Sequence, residues 1–456
     1  MGRWPTVARG GPPVTARYLA VEALARQEQA GYSNLVLDAE LRRCRPPLPA
    51  RESAFATRIF YTVLERRNLL DWVLNRFLRR PVDRLDPPVR AILRAGLAQA
   101  RYMAVPLPAA VNESVKLARA FGKTSAAGMV NAVLRRAAGF AATPEDFPAL
   151  QDRLVHYYSL GPAVAALLLQ QYGEEAEAMA AAFWAPQPTW VRVNTLRTTD
   201  DALTGQLEDE GCHVQPGPWA GCLRVEFPAS PASTKAFREG LFHVQGLTSQ
   251  LAAESVAARP GMKVLDLCAA PGGKTLTMAQ AMENTGTLLA GEAVAARLPL
   301  LQKALVRCGV QCAQAVLADA SQPNPEFAAA FDRVLCDVPC SGLGVIGKKP
   351  DIRYKDISGL EELCALQRRI LENGAGMLRP GGRLVYSTCT VNREENEAVV
   401  ADFLQAHPAV KLVPPPRALP GARDTGAGTL YLPHCSGTDG FFIAVMVKAE
   451  GEAALI

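Results

Sequence analysis

No hydrophobic run in these 456 residues reaches the roughly 20 positions that a bilayer core demands, so a membrane-spanning protein is not expected. Histidine is scarce: there are five, and none adjoins another. The 11 cysteines contain no C-x-x-C pair, the nearest spacings being Cys308/Cys312 and Cys336/Cys340. A metal site is therefore not expected. An odd, scattered cysteine set also fails as a disulfide framework and predicts reduced thiols in the cytoplasm. The opening MGRWPTVARGGPPVTAR has basic residues but lacks the apolar stretch of a secretory signal. With Thr6 its only hydroxyl near Gly2, it is a poor lipidation site too. Internal repeats and low-complexity tracts are likewise missing.

What is present is a composition suited to a globular protein, with 49% hydrophobic and 20% charged residues. The length is about three times that of a typical domain and predicts two or three cores. The formal net charge of +5 hides an asymmetry. Residues 1–140 carry 23 Lys and Arg, 21 of them Arg, against 10 acids; residues 141–456 carry 26 against 34. A compositional bias towards arginine would have acted on the whole chain. An excess confined to one end instead points to a polyanionic partner.

From Thr15 to about Phe140 the pattern is helical, with Val89, Ile92, Leu93, Gly96 and Leu97 on one face and Val111, Val115 and Ala118 on another. Prolines at 46–47, 87–88 and 106–108 separate short helices, as in a compact all-α bundle. ATPEDFP (142–148) reads as a linker. Helical stretches near 161–172 and 174–184 follow, then WVRVNTLRT, which alternates like a strand. After Gly246 short apolar runs (MKVLDLC, GTLLAGE, DRVLCDV, GRLVYST) alternate with helical stretches, predicting a parallel, doubly wound sheet that ends with FFIAVMVKA. Three parts are expected: an all-α bundle at 1–141, a small connecting α+β subdomain at 149–244, and an α/β Rossmann-like domain at 245–450.

Three motifs carry chemistry. LDLCAAPGGKT (265–275) lies between a strand and a helix, with Gly272 and Gly273 allowing a tight bend and close ligand approach. Glu292 ends the next strand, 19 residues after Gly273, where an acid binds the ribose hydroxyls of an adenosine cofactor. Asp319, read as the end of the third strand, is placed for the adenine amino group. CDVPCSGLGVIGKKPDIRY (336–354) puts Asp337, Pro339 and Cys340 at a strand's carboxyl end, where open α/β sheets bind ligands. YSTCT (386–390) puts Cys389 at another strand end, ahead of a helix expected over NREENEAVVADFL. Alone, each motif has a bland alternative: a structural turn, a basic solvated loop, a buried cysteine.

Together the three motifs resemble the signature of RNA cytosine-C5 methyltransferases: D-x-C-A-A-P-G-G-K-T, D-x-P-C-S-G and S-T-C. TARYLAVEALARQEQAGYSNLVLD resembles a NusB-type RNA-binding domain. VRVNTLR and GLFHVQGLTSQLAAE are similar to that family's connecting region. The order of parts resembles the bacterial Sun/Fmu-type enzymes. That likeness implies S-adenosylmethionine as cofactor and 16S ribosomal RNA as partner, with cytosine 967 the customary target. It implies that Cys268, Ala269, Ala270, Pro271, Gly272, Gly273 and Lys274 surround the methionine part of the cofactor. Glu292, where most relatives have Asp, would take the ribose and Asp319 the adenine. Asp337 would lie near methyl and base, Cys389 would be the attacking thiol, and Cys340 would assist release. Lys348, Lys349, Arg353 and Lys355 are candidates for flanking phosphates.

The chemistry accounts for the residue types. C5 of cytosine is a poor nucleophile until a thiolate adds at C6 and makes C5 enamine-like, which is covalent catalysis. Asp337 would protonate N3 as charge develops there, which needs a carboxyl kept protonated or tightly hydrogen-bonded. A methyltransferase acting on tRNA or another RNA, and a non-catalytic RNA-binding assembly factor, remain as alternatives. A DNA cytosine enzyme leaves the second thiol unexplained, and an adenine-N6 enzyme would carry an aromatic at Cys340.

Overall fold

The computed structural model describes residues 15–28 and 33–450. The readings made on the opening residues up to Val14 lie outside them. The described residues form two compact units: one takes in those up to Ala180 together with Lys349–Lys355, the other Ala181–Lys348 and Asp356–Glu450. Among the described residues no helix is long and apolar enough to cross a membrane.

The first unit is all-α. Its helices include α1 (Ala16–Gln27), α2 (Ser33–Arg43), α3 (Ala50–Glu65), α4 (Arg67–Asn75), α5 (Pro87–Tyr102), α6 (Leu107–Ala120) and α7 (Ala127–Ala137), followed by Pro162–Tyr172. Pro87 and Pro88 open α5 where the first N–H groups have no intrahelical acceptor to lose. The expected stripe of Val89, Ile92, Leu93 and Leu97 is buried. Truncating any one of its Leu or Ile side chains to Ala costs about 2–5 kcal/mol. Arg94 is buried on the same helix, and its charge is met by a two-pronged contact to Asp71 (Nε–Oδ1 2.6 Å, Nη2–Oδ2 2.7 Å) and by Glu28.

The segment Lys349–Lys355 is held within this unit. Tyr354 donates its hydroxyl to Leu64 O at 2.7 Å, and the Arg67 guanidinium stacks 3.6 Å from the Tyr354 ring centroid. Arg353 is fully buried and donates from Nη1 to Tyr158 O at 3.0 Å. Burial lowers its pKa to about 10. This corrects the reading of Arg353 as a phosphate ligand: a basic loop in sequence is here a packed clip.

The second unit holds two sheets. The smaller has β1 (Trp190–Val193), β2 (His213–Pro216), β3 (Cys222–Glu226) and β4 (Phe242–Val244), antiparallel in the order β2-β3-β1-β4. Val191, Val193, Val225 and Phe242 bury one face against Leu203 and Leu207 of helix Asp200–Asp209. The larger has nine strands: β5 (Lys263–Asp266), β6 (Thr287–Glu292), β7 (Ala313–Leu317), β8 (Phe331–Asp337), β9 (Leu378–Thr388), β10 (Val410–Val413), β11 (Arg423–Asp424), β12 (Thr429–Tyr431) and β13 (Phe441–Lys448). Its order is β11-β12-β13-β9-β8-β5-β6-β7, with β10 beside β13. Strands β5 to β9 pair in parallel, and β13 joins β9 antiparallel. The helical bundle, the small α+β part and the Rossmann-like sheet are the expected fold classes.

Two local expectations change. Strand β7 stops at Leu317, so Asp319 lies in the following loop. The helix read from Asn392 begins only at Glu397, because Asn392, Glu395 and Asn396 spend their side chains on hydrogen bonds to Thr390 and its neighbours.

Candidate active site

Five parallel strands deliver their carboxyl ends to one edge, and each predicted site residue sits at or just beyond such an end. After β5 the chain turns through Cys268–Gly272 into helix Gly273–Ala281. Gly272 has φ +111°, a conformation side chains rarely adopt, which lets the helix start abruptly after the turn. Ala269 and Ala270 are buried, and Ala269 N donates to Gly291 O at 2.8 Å, pinning the turn to β6. Burial pushes the Cys268 thiol well up, so it stays protonated.

Lys274 Nζ lies 2.7 Å from Asp337 Oδ2, while Ser387 Oγ donates to Asp337 Oδ1 at 2.7 Å. Burial works against the lysine charge, but Asp337 outweighs it and holds the ammonium above its ordinary value. Cys340 and Cys389 meet with 3.3 Å between their sulfurs. The hydrogen bond to Cys389, then burial, drives the Cys340 thiol far up. Gly344 N donates to Cys389 O at 3.0 Å and Gly344 O accepts from Gly440 N at 2.8 Å. A Cβ on Gly344 would stand 1.9 Å from Gly440 O, so no other residue fits this junction.

Glu292, almost fully buried at the end of β6, accepts from Val294 N at 2.8 Å and pairs with Arg297 at 3.2 Å. Arg297 also donates to Ala270 O at 2.5 Å, linking the Glu292 carboxylate to the turn. Asp319 stands apart: it is exposed and accepts from Ser321 N and Oγ at 2.9 and 2.8 Å, which lowers its pKa. Lys348 pairs with Asp439 at 2.6 Å. The structure thus brings Cys340 to Cys389 and Lys274 to Asp337.

Sequence reasoning passed over two buried acids. Asp266, at the root of the turn, accepts from Thr275 Oγ1 at 2.7 Å through Oδ2, while its buried Oδ1 has no partner among the described residues. Burial lifts this carboxyl from 3.8 to about 7. Glu395 accepts from Ser341 N at 2.7 Å and from Gln367 Nε2 at 3.0 Å. The D of D-x-C-A-A was available as a signal for the first; nothing local marked the second. The edge suits a ligand carrying hydroxyls, a carboxylate and an ammonium: Glu292 offers acceptors, Lys274 a cation, and Asp266 an unsatisfied oxygen.

The comparisons with known proteins cover each part of the chain. Residues 253–447 match the family model described as 16S rRNA methyltransferase RsmB/F, residues 14–139 that of the NusB family, and residues 165–230 a RsmF/B-like, ferredoxin-like domain. A relative in Bacillus subtilis (strain 168), named probable ribosomal RNA small subunit methyltransferase B, is 33% identical across 95% of this chain and 99% of its own. The chain belongs to the RsmB/F family of methyltransferases. Ribosomal RNA small subunit methyltransferase B of Xanthomonas campestris pv. campestris is likewise 33% identical, over 96% of this chain and 98% of its own. The solved structure of PH0851 superposes with a TM-score of 0.79 and 27% identity, covering 96% of this chain and all of that one.

Proposed function

We propose that this protein transfers a methyl group from S-adenosylmethionine to C5 of a cytosine in 16S ribosomal RNA, through a covalent bond from Cys389 Sγ to C6. The observation that carries the reading is the pair of thiols 3.3 Å apart, one strand away from the Lys274–Asp337 ion pair. Two cysteines at one strand edge suit an addition–elimination sequence in which one adds and the other assists departure.

Bound S-adenosylmethionine supplies an electrophilic methyl group. Glu292 would accept hydrogen bonds from its ribose hydroxyls, Asp319 would approach the adenine, and the turn from Cys268 to Lys274 would enclose the methionine end. Cys389 adds to C6 of the unstacked cytosine while the Asp337 carboxyl, fed by the Lys274 ammonium, delivers a proton to N3. C5 takes the methyl, and its proton then passes to the Asp337 carboxylate, which the transfer to N3 has left unprotonated. The Cys389–C6 bond breaks with its electron pair on sulfur, N3 gives its proton to water, and the aromatic ring and the Cys389 thiolate are restored. A Cys340 thiol that keeps its proton gives the Cys389 sulfur a hydrogen-bond donor during these steps.

In this reading residues 1–141 bind RNA through their arginine excess, residues 149–244 connect, and residues 245–450 transfer the methyl group. Cytosine 967 is the target the family likeness favours. Bisulfite sequencing of 16S ribosomal RNA with and without the gene tests it. A protected cytosine that loses protection on deletion is expected; unchanged rRNA with a lost methylcytosine in tRNA would redirect the substrate.

A further inference from the structure

Against the residues that follow the two thiols lies Glu395, whose side chain is fully buried. Its Oε2 accepts from Ser341 N at 2.7 Å and Gln367 Nε2 at 3.0 Å. Its Oε1 accepts from Asn392 Nδ2 at 3.1 Å and Thr390 Oγ1 at 3.4 Å. Ser341 follows Cys340, and Thr390 follows Cys389. The two hydroxyls also bond each other, Ser341 Oγ to Thr390 Oγ1 at 2.7 Å. Gln367 spans to Pro339 O at 2.9 Å, and Tyr386 donates its hydroxyl to Glu395 O at 2.6 Å. One carboxylate thus ties together the residues next to both thiols.

We propose that Glu395 is a positioning residue that holds Cys340 against Cys389, so that release of the methylated base is coupled to the attack. The role in release rests on the functional reading above; the role in thiol placement does not. A buried carboxylate with four donors is rigid, because each donor loses its acceptor if the group moves. Cys340 lies in a loop containing Gly342 and Gly344; Gly344 N ties the far side of that loop to Cys389 O, while the clasp holds Ser341, the residue next to Cys340, and so keeps the two sulfurs 3.3 Å apart. Without the clasp, Cys389 keeps its place at the end of β9 while Cys340 drifts.

The test uses the full chain carrying Glu395→Leu, which keeps volume and removes both acceptors, with Glu395→Gln as the conservative variant. Mild diamide treatment, in which two thiol hydrogens pass to the reagent, followed by peptide mapping measures how fast Cys340 and Cys389 join. In the unaltered protein this pair is expected to close before other cysteines. Glu395→Leu is expected to slow closure by about tenfold or more, with Glu395→Gln between them. S-adenosylhomocysteine affinity, measured by calorimetry, is expected to stay within about twofold. With the rRNA substrate, Glu395→Leu is expected to accumulate a protein–RNA adduct in denaturing gels while kcat falls and KM holds. Closure and turnover at the unaltered rates in a folded Glu395→Leu protein would overturn the proposal. If Glu395→Leu does not fold, Thr390→Val decides by the same two readings: slowed closure supports the clasp, and unchanged closure overturns it. If the unaltered protein methylates no RNA, the functional reading falls while the diamide rates still decide what Glu395 does.

Discussion

Lys274 and Asp337 sit 2.7 Å apart although they come from different elements, one in the helix that follows β5 and one at the end of β8. Each is the other's charge partner in a largely buried place, with side-chain exposures of 13% and 27%. Removing one member of such a pair strands the other.

Asp337→Asn is therefore expected to destabilise the fold by about 3 kcal/mol, the lower end for a broken buried pair because water reaches the carboxylate. Asp337→Asn combined with Lys274→Met is expected to recover most of that loss but no methylation, since the acid pair is gone. Urea denaturation of the single and double variants checks the first part. A single variant as stable as the unaltered protein would remove the ion pair from the account of the site.

The cysteines are expected to fail differently. Cys389→Ala leaves no thiol at the end of β9 and is expected to give neither methylation nor adduct. Cys340→Ala keeps the attacking group and is expected to form the C6 bond yet release it slowly, leaving an RNA–protein species that survives denaturing electrophoresis. An adduct with Cys389→Ala and none with Cys340→Ala would reverse the two roles.

Asp266 gives a pH signature. Its folded pKa of about 7 lies above the ordinary 3.8, raised first by burial. Between those values the native chain holds a proton that the unfolded chain has released, so this group's contribution to stability falls as pH rises from about 4 to 7. Asp266→Asn keeps a hydrogen-bonding partner for Thr275 and removes the titration. Relative to the unaltered protein, the variant is expected to gain on the order of 3–4 kcal/mol of stability over that interval. Urea titrations at pH 4.5 and 7.5 measure the change, and parallel pH dependences would refute it.

Much of the architecture was legible because it is written in local pattern. The apolar stripe of α5 and the short runs of β5, β6, β8 and β9 each declare their type within ten residues. Where those strands lie is not local. That YSTC ends a strand beside the one bearing DVPC follows from sheet order, which brings Cys340 to Cys389 across 49 positions. The buried role of Glu395 was hidden for the same reason: its donor Ser341 lies 54 residues away, and N-R-E-E-N-E reads as an ordinary polar helix start. Arg353 misled in the opposite direction, since a charge run says nothing of which side chain a neighbouring helix will cover.

The arginine excess of residues 1–140 makes the last prediction. Each Lys or Arg that neutralises a phosphate releases condensed counterions, so log affinity falls with log salt by about 0.7 per contact on single strands. Arg79, Arg80, Arg135 and Arg136 are exposed and free to be replaced without opening the core, unlike the buried Arg94. Changing all four to Gln is expected to weaken binding to a 16S fragment and to flatten the slope by about 0.7 for each residue that touches a phosphate. S-adenosylhomocysteine affinity is expected to be unchanged, because the groups proposed to hold the cofactor all lie between Cys268 and Asp337. Fluorescence anisotropy across a salt series measures the slope. An unaltered slope would mean that these four arginines are a solvated surface, and the phosphate contacts would then have to be sought among the other basic residues, Lys349 and Lys355 included.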